Sequence, residues 1–251
     1  MIILRPLIIF AGLLFVWQVI VWLSGAPPFI LPSPLRVGGA LAGQFDIILP
    51  HAGVTLAEIL MGLILGTILG SVSALTMAYF APARRWLFPV LVISQAIPVF
   101  ALAPILVLWL GYGIISKVVM ATLIIYFPVT AAFFDGLRRT EPGYLDLART
   151  MNASRWAILR QIRLPAALPA FASGLRVATA VAPIGAIVGE WVGSSQGLGF
   201  LMLHANGRMQ IDVMFASLFI LAIIAVTIYF IVDAGLRRLL IWQPESHPSN
   251  D

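Results

Sequence analysis

Few side chains in this 251-residue chain are equipped for chemistry. The histidines are His51, His204 and His247, and no two of them stand at a metal-ligand spacing. Cysteine is absent, which removes disulfides and thiolate metal sites. No His-Glu-x-x-His or Walker A pattern occurs, and no Gly-x-Ser-x-Gly or other nucleophile motif sits on a helix, so the chain offers no zinc hydrolase site, no nucleophile elbow and no phosphate loop for hydrolysing ATP by itself. Glu58, Glu190 and Asp233 interrupt apolar stretches. An ionisable group at membrane depth points to function. The competing reading is structural, a carboxylate paired with Arg176 or hydrogen-bonded between helices. Asp233 precedes Arg237 by four residues, the spacing of a helical ion pair. A proton-coupled carrier needs a more convincing chain of buried titratable groups than these.

Polar residues concentrate instead in NASRWAILRQIRLP, Asn152 to Pro165, within a chain that is 61% hydrophobic and 10% charged. A soluble domain carries about a quarter charged residues. The apolar residues come in long runs, and a run of about 20 crosses a bilayer as a helix. Six runs stand out: about Pro6–Ser24, Val54–Phe80, Trp86–Leu110, Ile114–Phe134, Leu168–Val192 and Val213–Leu236. Pro98 and Pro104 interrupt the third, and Pro128 lies in the fourth. Freed backbone groups at that depth must face protein or a wet cavity, so Pro98 and Pro104 are candidates for lining a path. Gly62, Gly66 and Gly70 stand at the four-residue spacing that lets helices approach closely. Phe29–Leu41 reads as turns followed by a mildly amphipathic stretch, and the tail from Ile241 as polar and frayed.

With the N-terminus inside, Arg5, Arg84, Arg85, Arg138, Arg139, Arg149, Arg155, Arg160, Arg163, Arg237 and Arg238 fall on the cytoplasmic side. Only Arg36, Lys117 and Arg208 fall outside, and Arg176 lies within the fifth run. This bias orients the protein with both termini inside. It also accounts for the formal charge of +5 without a nucleic-acid partner.

The cytoplasmic stretch Glu141–Leu168 then reads as a helix–turn–helix. Pro142 and Gly143 open it, and a short helix ends at Asn152, a residue suited to the left-handed conformation. Ser154 caps the next helix. Ile158, Leu159 and Ile162 share one face, with Arg155, Arg160 and Arg163 mostly elsewhere. Pro165 stops that helix or starts the membrane segment after it. Two readings remain open on these residues: an interfacial hairpin whose arginines bind lipid phosphates, or apolar knobs with a basic rim that dock a partner's groove.

This segment resembles the "EAA" motif of binding-protein-dependent ABC importer permeases: Glu-Ala-Ala, three residues, Gly, nine residues, Ile-x-Leu-Pro. Here it is Asp146-Leu147-Ala148, Asn152, then Ile162-Arg163-Leu164-Pro165, with the nine-residue gap kept. Leu147 stands where a small residue is usual. ILPSPLRV, GLRVATAVAPIGAIVGEW and SSQGLGFLM look like the nitrate/sulfonate/taurine branch, and GEWVGSSQGLGFLMLHANGRMQ is more like permeases for pyrimidine precursors of thiamine. The resemblance implies an all-α, MetI-like type I importer fold, one permease domain over residues 1–251 in the bacterial inner membrane. It comprises a first helix about 6–24, a core about 54–240 and a coupling hairpin about 141–165.

It also implies the partners: a second permease copy, two ATPase subunits on the hairpins, a periplasmic or lipid-anchored binding protein, a small-molecule substrate and surrounding lipid, with no cofactor. Asp146, Ala148, Asn152, Ser154, Arg155, Arg160, Ile162, Leu164 and Pro165 would carry the coupling, with Leu164-Pro165 as a stiff connection. Glu190, Gly197 and Gly199 would gate the path or touch the binding protein. A nitrate, taurine or alkanesulfonate substrate, an ion-coupled carrier and a membrane scaffold are the alternatives.

Overall fold

A computed structural model describes residues 4–242 of the chain. His247 and the polar tail beyond Trp242 lie outside the described residues. The described chain is helical: α1 (Leu4–Ser24), α2 (Pro34–Gly43), α3 (Phe45–Tyr79), α4 (Ala81–Ala96), α5 (Val99–Leu110), α6 (Ile114–Arg138), α7 (Pro142–Thr150), α8 (Arg155–Ile158), α9 (Leu164–Gly193), α10 (Leu198–Gly207) and α11 (Ile211–Leu239). Helices are what apolar runs in lipid must form, because only they satisfy every backbone group within one segment.

Four stretches are long and apolar enough to cross a membrane: α3, α6, the continuous helix Arg155–Gly193, and α11. The expected third run is not one helix. α4 and α5 meet the same criterion only as a pair, and they bend by 102° at the break between them. Ile97 there is extended (φ −88°, ψ 117°), as the residue before a proline prefers. Pro104 lies inside α5 without breaking it. The described apolar part of α1, Ile8–Ser24, is shorter than the four. By length and composition the described residues thus give four or five spans where the runs suggest six.

Other boundaries shift for local reasons. α3 starts at Phe45, well before the apolar run, and Asp46 in its first turn suits the positive end of the helix dipole. The stretch after Phe29 contains α2, with Pro34 in its first turn and the Ser33 hydroxyl accepting from the Arg36 N–H. α10 occupies the stretch between the fifth and sixth apolar runs.

The core forms where α6 lies between α3 and α9. Ile59 and Leu63 of α3, Ala121, Ile125 and Val129 of α6, and Ala178, Ala182 and Ala186 of α9 make one buried cluster with Ile228 of α11. The glycine row of α3 has the packing role that its spacing predicts. A methyl group on Gly66 would stand 2.6 Å from Ile125 Cγ2, and one on Gly70 3.0 Å from Thr130 Oγ1. Gly185 of α9 is equally close to the Ala121 backbone. α11 is fastened by ions: Arg176 Nε donates to Asp233 Oδ1 (2.6 Å), and Arg237 Nε to Asp233 Oδ2 (2.8 Å). The pairing of Asp233 with Arg237 is as expected. Arg176, however, serves Asp233 and not Glu58 or Glu190.

Gly66→Val should lower the melting temperature of the detergent-solubilised protein, since overpacking costs about 1–3 kcal/mol. Gly53→Ala, whose added methyl meets open space, should leave the melt unchanged. Equal melts for the two variants would contradict the packing.

Candidate functional site at the two ends of the bundle

The arginine-rich end carries the hairpin α7–α8. α7 closes in a Schellman motif. The Asn152 N–H bonds the Arg149 carbonyl (3.0 Å), the Ala153 N–H bonds the Ala148 carbonyl (3.0 Å), and Asn152 is left-handed at φ 55°. Asparagine pays the smallest penalty there after glycine. The Ser154 hydroxyl then accepts from the Ala157 N–H at 3.2 Å and caps α8. Both features agree with the sequence reading.

The continuation does not stop at Pro165. Leu159–Arg163 form a wider π-type turn, and helix runs from Arg155 without interruption to Gly193. Pro165 lacks an N–H and its ring crowds the carbonyl four residues back. A widened turn just before it relieves both problems and preserves the helix. The hairpin is therefore rigidly continuous with a membrane-spanning helix of 39 residues.

The faces are disposed differently from the expectation. Leu159 is buried in a cluster with Ala74, Met77, Leu137 and Ala167, and Ile158 and Ile162 are half-buried. These apolar residues hold the hairpin to its own bundle. The residues turned outward are Tyr144, Leu147 and Met151 of the α7 row and Trp156 of α8, all more exposed than buried. Leu147, unusual for its position, has no packing burden within the chain. Asp146 is exposed and pairs with Arg149 at 2.8 Å. Ala148 is buried, Leu164 is half-buried, and Arg155, Arg160 and Pro165 are exposed. A cavity of about 430 Å³ opens between the α3 end and the hairpin, lined by Tyr79, Leu145, Arg149, Arg155 and Arg163 among others.

The opposite end holds a buried polar cluster. His51, Thr55 and Glu58 fall at i, i+4 and i+7 on α3, in line with the glycine row below them. Glu58, Lys117 and Glu190 are each 1% exposed and Thr55 is fully buried. Thr55 Oγ1 donates to Glu190 Oε1 at 2.6 Å. Glu58 lies against Glu190, and its Oε2 meets no donor among the described residues. Charge counting along the sequence places Lys117 outside. It lies at the end opposite the arginine-rich hairpin, in keeping with that side, but is buried there, and its ammonium donates to the carbonyls of Tyr112, Gly113 and Gly193. Three donors matched to three acceptors satisfy the ammonium, while its charge offsets the two carboxyl groups beside it.

Of the residues that the sequence singles out, this end gathers Glu58, Glu190, Gly197 and Gly199. Pro98 and Pro104 are apart from it and exposed on the chain. Sequence reasoning misses His51, Thr55 and Lys117 as members. A threonine three residues before a carboxylate and a lysine opening an apolar run are the traces they leave. No group of three or more His, Asp or Glu residues among those described could hold a metal ion.

A polytopic helical bundle with a basic hairpin fused to one span defines a membrane permease. Residues 62–240 match the family of binding-protein-dependent transport system inner membrane components, and the chain belongs to that family. It is a multi-pass membrane protein and a permease subunit of an ABC importer. A probable ABC transporter permease protein of Haemophilus influenzae is 56% identical, with 95% of this chain and 97% of that protein covered. A formylaminopyrimidine transport permease protein of Halalkalibacterium halodurans is 36% identical, with 96% of each covered. A riboflavin transport system permease protein of Chloroflexus aurantiacus is 38% identical over 92% of this chain and 87% of that one. The inward-facing structure of the MetNI methionine ABC transporter shares the fold, with a TM-score of 0.67 at 21% identity over 78% of this chain and 98% of that chain.

The turn at Asn152 gives a direct check. Asn152→Gly should retain slow amide exchange in α7 and α8. Asn152→Val, with a β-branched residue held left-handed, should lose about 1–2 kcal/mol of local protection. Equal exchange in the two variants would refute the strained turn.

Proposed function

We propose that the chain imports a small solute by alternating access, driven at its hairpin by a soluble ATPase. The observation that carries this reading is the unbroken helix joining an outward-facing hairpin to a membrane span. A lever needs a gripping surface and a stiff shaft. Tyr144, Leu147, Met151 and Trp156 supply exposed apolar contact, and Asp146, Arg155 and Arg160 supply a charged rim. Asn152 and Ser154 set the angle between the two short helices. Ala148, Ile162 and Leu164 hold that angle against the bundle, and Pro165 lies in the shaft that it passes into.

In this reading the arginine-rich end is cytoplasmic, as the positive-inside bias requires, α1 and the α4–α5 pair complete six crossings, and both termini are inside. Two copies of the chain enclose the path, each seated on one ATPase subunit, and a binding protein delivers solute at the opposite end. ATP binding draws the ATPase subunits together and switches the permeases between two rigid states. Pro98 and Pro104, on the bent and exposed α4–α5 pair, are assigned to the path between copies.

The solute class we favour is a nitrogen heterocycle of the pyrimidine kind. Two relatives above 30% identity carry a cargo in their names, the formylaminopyrimidine and riboflavin permeases. Taurine and aliphatic sulfonate permeases of Escherichia coli and Bacillus subtilis, at 28% and 27%, support small sulfonates as the second reading.

Leu147→Asp should abolish co-purification of the cognate ATPase while leaving the detergent-solubilised fold intact by circular dichroism. Asp146→Lys should reduce uptake. Retained ATPase and undiminished uptake in both variants would remove the coupling role. For cargo, cells carrying the complete transporter should accumulate labelled formylaminopyrimidine in preference to labelled taurine, and the reverse preference would select the second reading.

A further inference from the structure

The corner between α9 and α10 is fastened from both sides by side chains, those of His51 and Thr55 from α3, Lys117 from α6 and Glu190 from α9 itself. The first N–H groups of a helix have no acceptors within it, and its last carbonyls have no donors. α2 and α8 solve this with a serine at their own N-cap. α10 cannot, because its N-cap is Gly197, held at φ 107°. Its donors reach across the bundle instead. The Gly197 N–H bonds His51 Nδ1 at 2.9 Å, and the Leu198 N–H bonds Thr55 Oγ1 at 2.8 Å. The N–H groups of Gly199 and Phe200 both bond Glu190 Oε2. Four consecutive donors are thus met by three side chains on α3 and α9.

The other side of the corner is closed by Lys117 of α6, which donates to the carbonyl of Gly193, the last residue of α9. The fit around the carboxylate excludes side chains. A methyl group at Gly197 would overlap Glu190, and one at Gly199 would lie 2.9 Å from its Oε2. A carboxylate at a helix N-terminus is also favoured by the helix dipole.

Glu190 stands on the same continuous helix that begins at Arg155 in the hairpin. The two are separated by roughly 50 Å of α-helical rise. We propose that Glu190 is a positioning residue for transport: it locks α10 to the shaft, so that α10 moves with the hairpin as one body. Thr55 completes the joint, donating to Glu190 while accepting from α10. This inference rests on the reading of the hairpin as the driven end. A local cap would hold α10 equally well but would not tie it to the shaft.

The chain has no native cysteine, so paired spin labels can be introduced at Gln161 on the shaft and Leu203 on α10, both exposed. Distances between them are read by pulsed electron resonance in lipid nanodiscs. The labelled parent should give one narrow distance. Glu190→Gln, which keeps a carbonyl acceptor, and Thr55→Ser, which keeps the hydroxyl, should preserve it. Glu190→Ala and Thr55→Val should lose the single narrow distance. Should Glu190→Ala not fold, the Thr55 pair decides alone. A narrow distance in Thr55→Val, or a broad one in Thr55→Ser, overturns the joint.

A second arm uses the permease–ATPase complex with and without ATP and vanadate. The parent distance should be unchanged on trapping, whereas Thr55→Val should shift. A nucleotide-dependent shift in the parent overturns movement as one body. Failure of any ATPase to bind defeats the coupling reading instead, and the nanodisc arm still decides the joint.

Discussion

The closeness of α6 to α3 and α9 is the constraint on which the rest depends. In lipid, helices gain no hydrophobic free energy by associating, because acyl chains are as apolar as leucine. What remains is van der Waals contact and hydrogen bonding, and both fall away steeply with separation. Gly62, Gly66 and Gly70 on α3, and Gly185 on α9, bring backbones to distances that one methyl group would prevent. The same approach places Thr55, Glu58, Lys117 and Glu190 within reach of one another near the end of the bundle. A looser bundle would leave these groups buried and unsatisfied, at a cost of several kcal/mol for each uncompensated charge.

The cluster in turn fixes the loops. Lys117 gathers carbonyls from the α5–α6 connection and from the end of α9. Glu190, Thr55 and His51 gather the amides at the start of α10. Connections at a membrane protein's end usually satisfy their polar groups with water. Here polar side chains of the bundle do so, which makes these segments extensions of the core.

The hairpin was legible in sequence because its determinants are local. Asn152 and Ser154 act within three residues of themselves, so turn chemistry and capping rules suffice. Four of the six runs were legible as spans because apolar length is a one-dimensional property, while the bend between α4 and α5 was not. Three further things were not. Periodicity says which residues share a face, but not what that face meets, so Ile158, Leu159 and Ile162 read as docking knobs although Leu159 is buried against its own bundle. Charge counting gives a side of the membrane but no depth, so nothing in it says that Lys117 is buried. The cap of α10 comes from residues as far as 146 positions away, and no local pattern announces it. Only the apolar LGFLMLHANG, ending in Asn206-Gly207, hints that this stretch is a helix.

The π-type turn before Pro165 has a consequence for how this chain can change length. Because helix is unbroken from Arg155 to Gly193, the direction in which the hairpin points and the direction in which Glu190 points are geared together. Inserting one residue anywhere between them would rotate one end against the other by about 100° and lengthen the helix by about 1.5 Å. Seven inserted residues would nearly restore the angle, to within about 20°, but would displace Glu190 by roughly two turns. A change in length within the helix therefore shifts Glu190 against the hairpin unless the helix absorbs the extra residue locally, as the π-type turn at Leu159–Arg163 can.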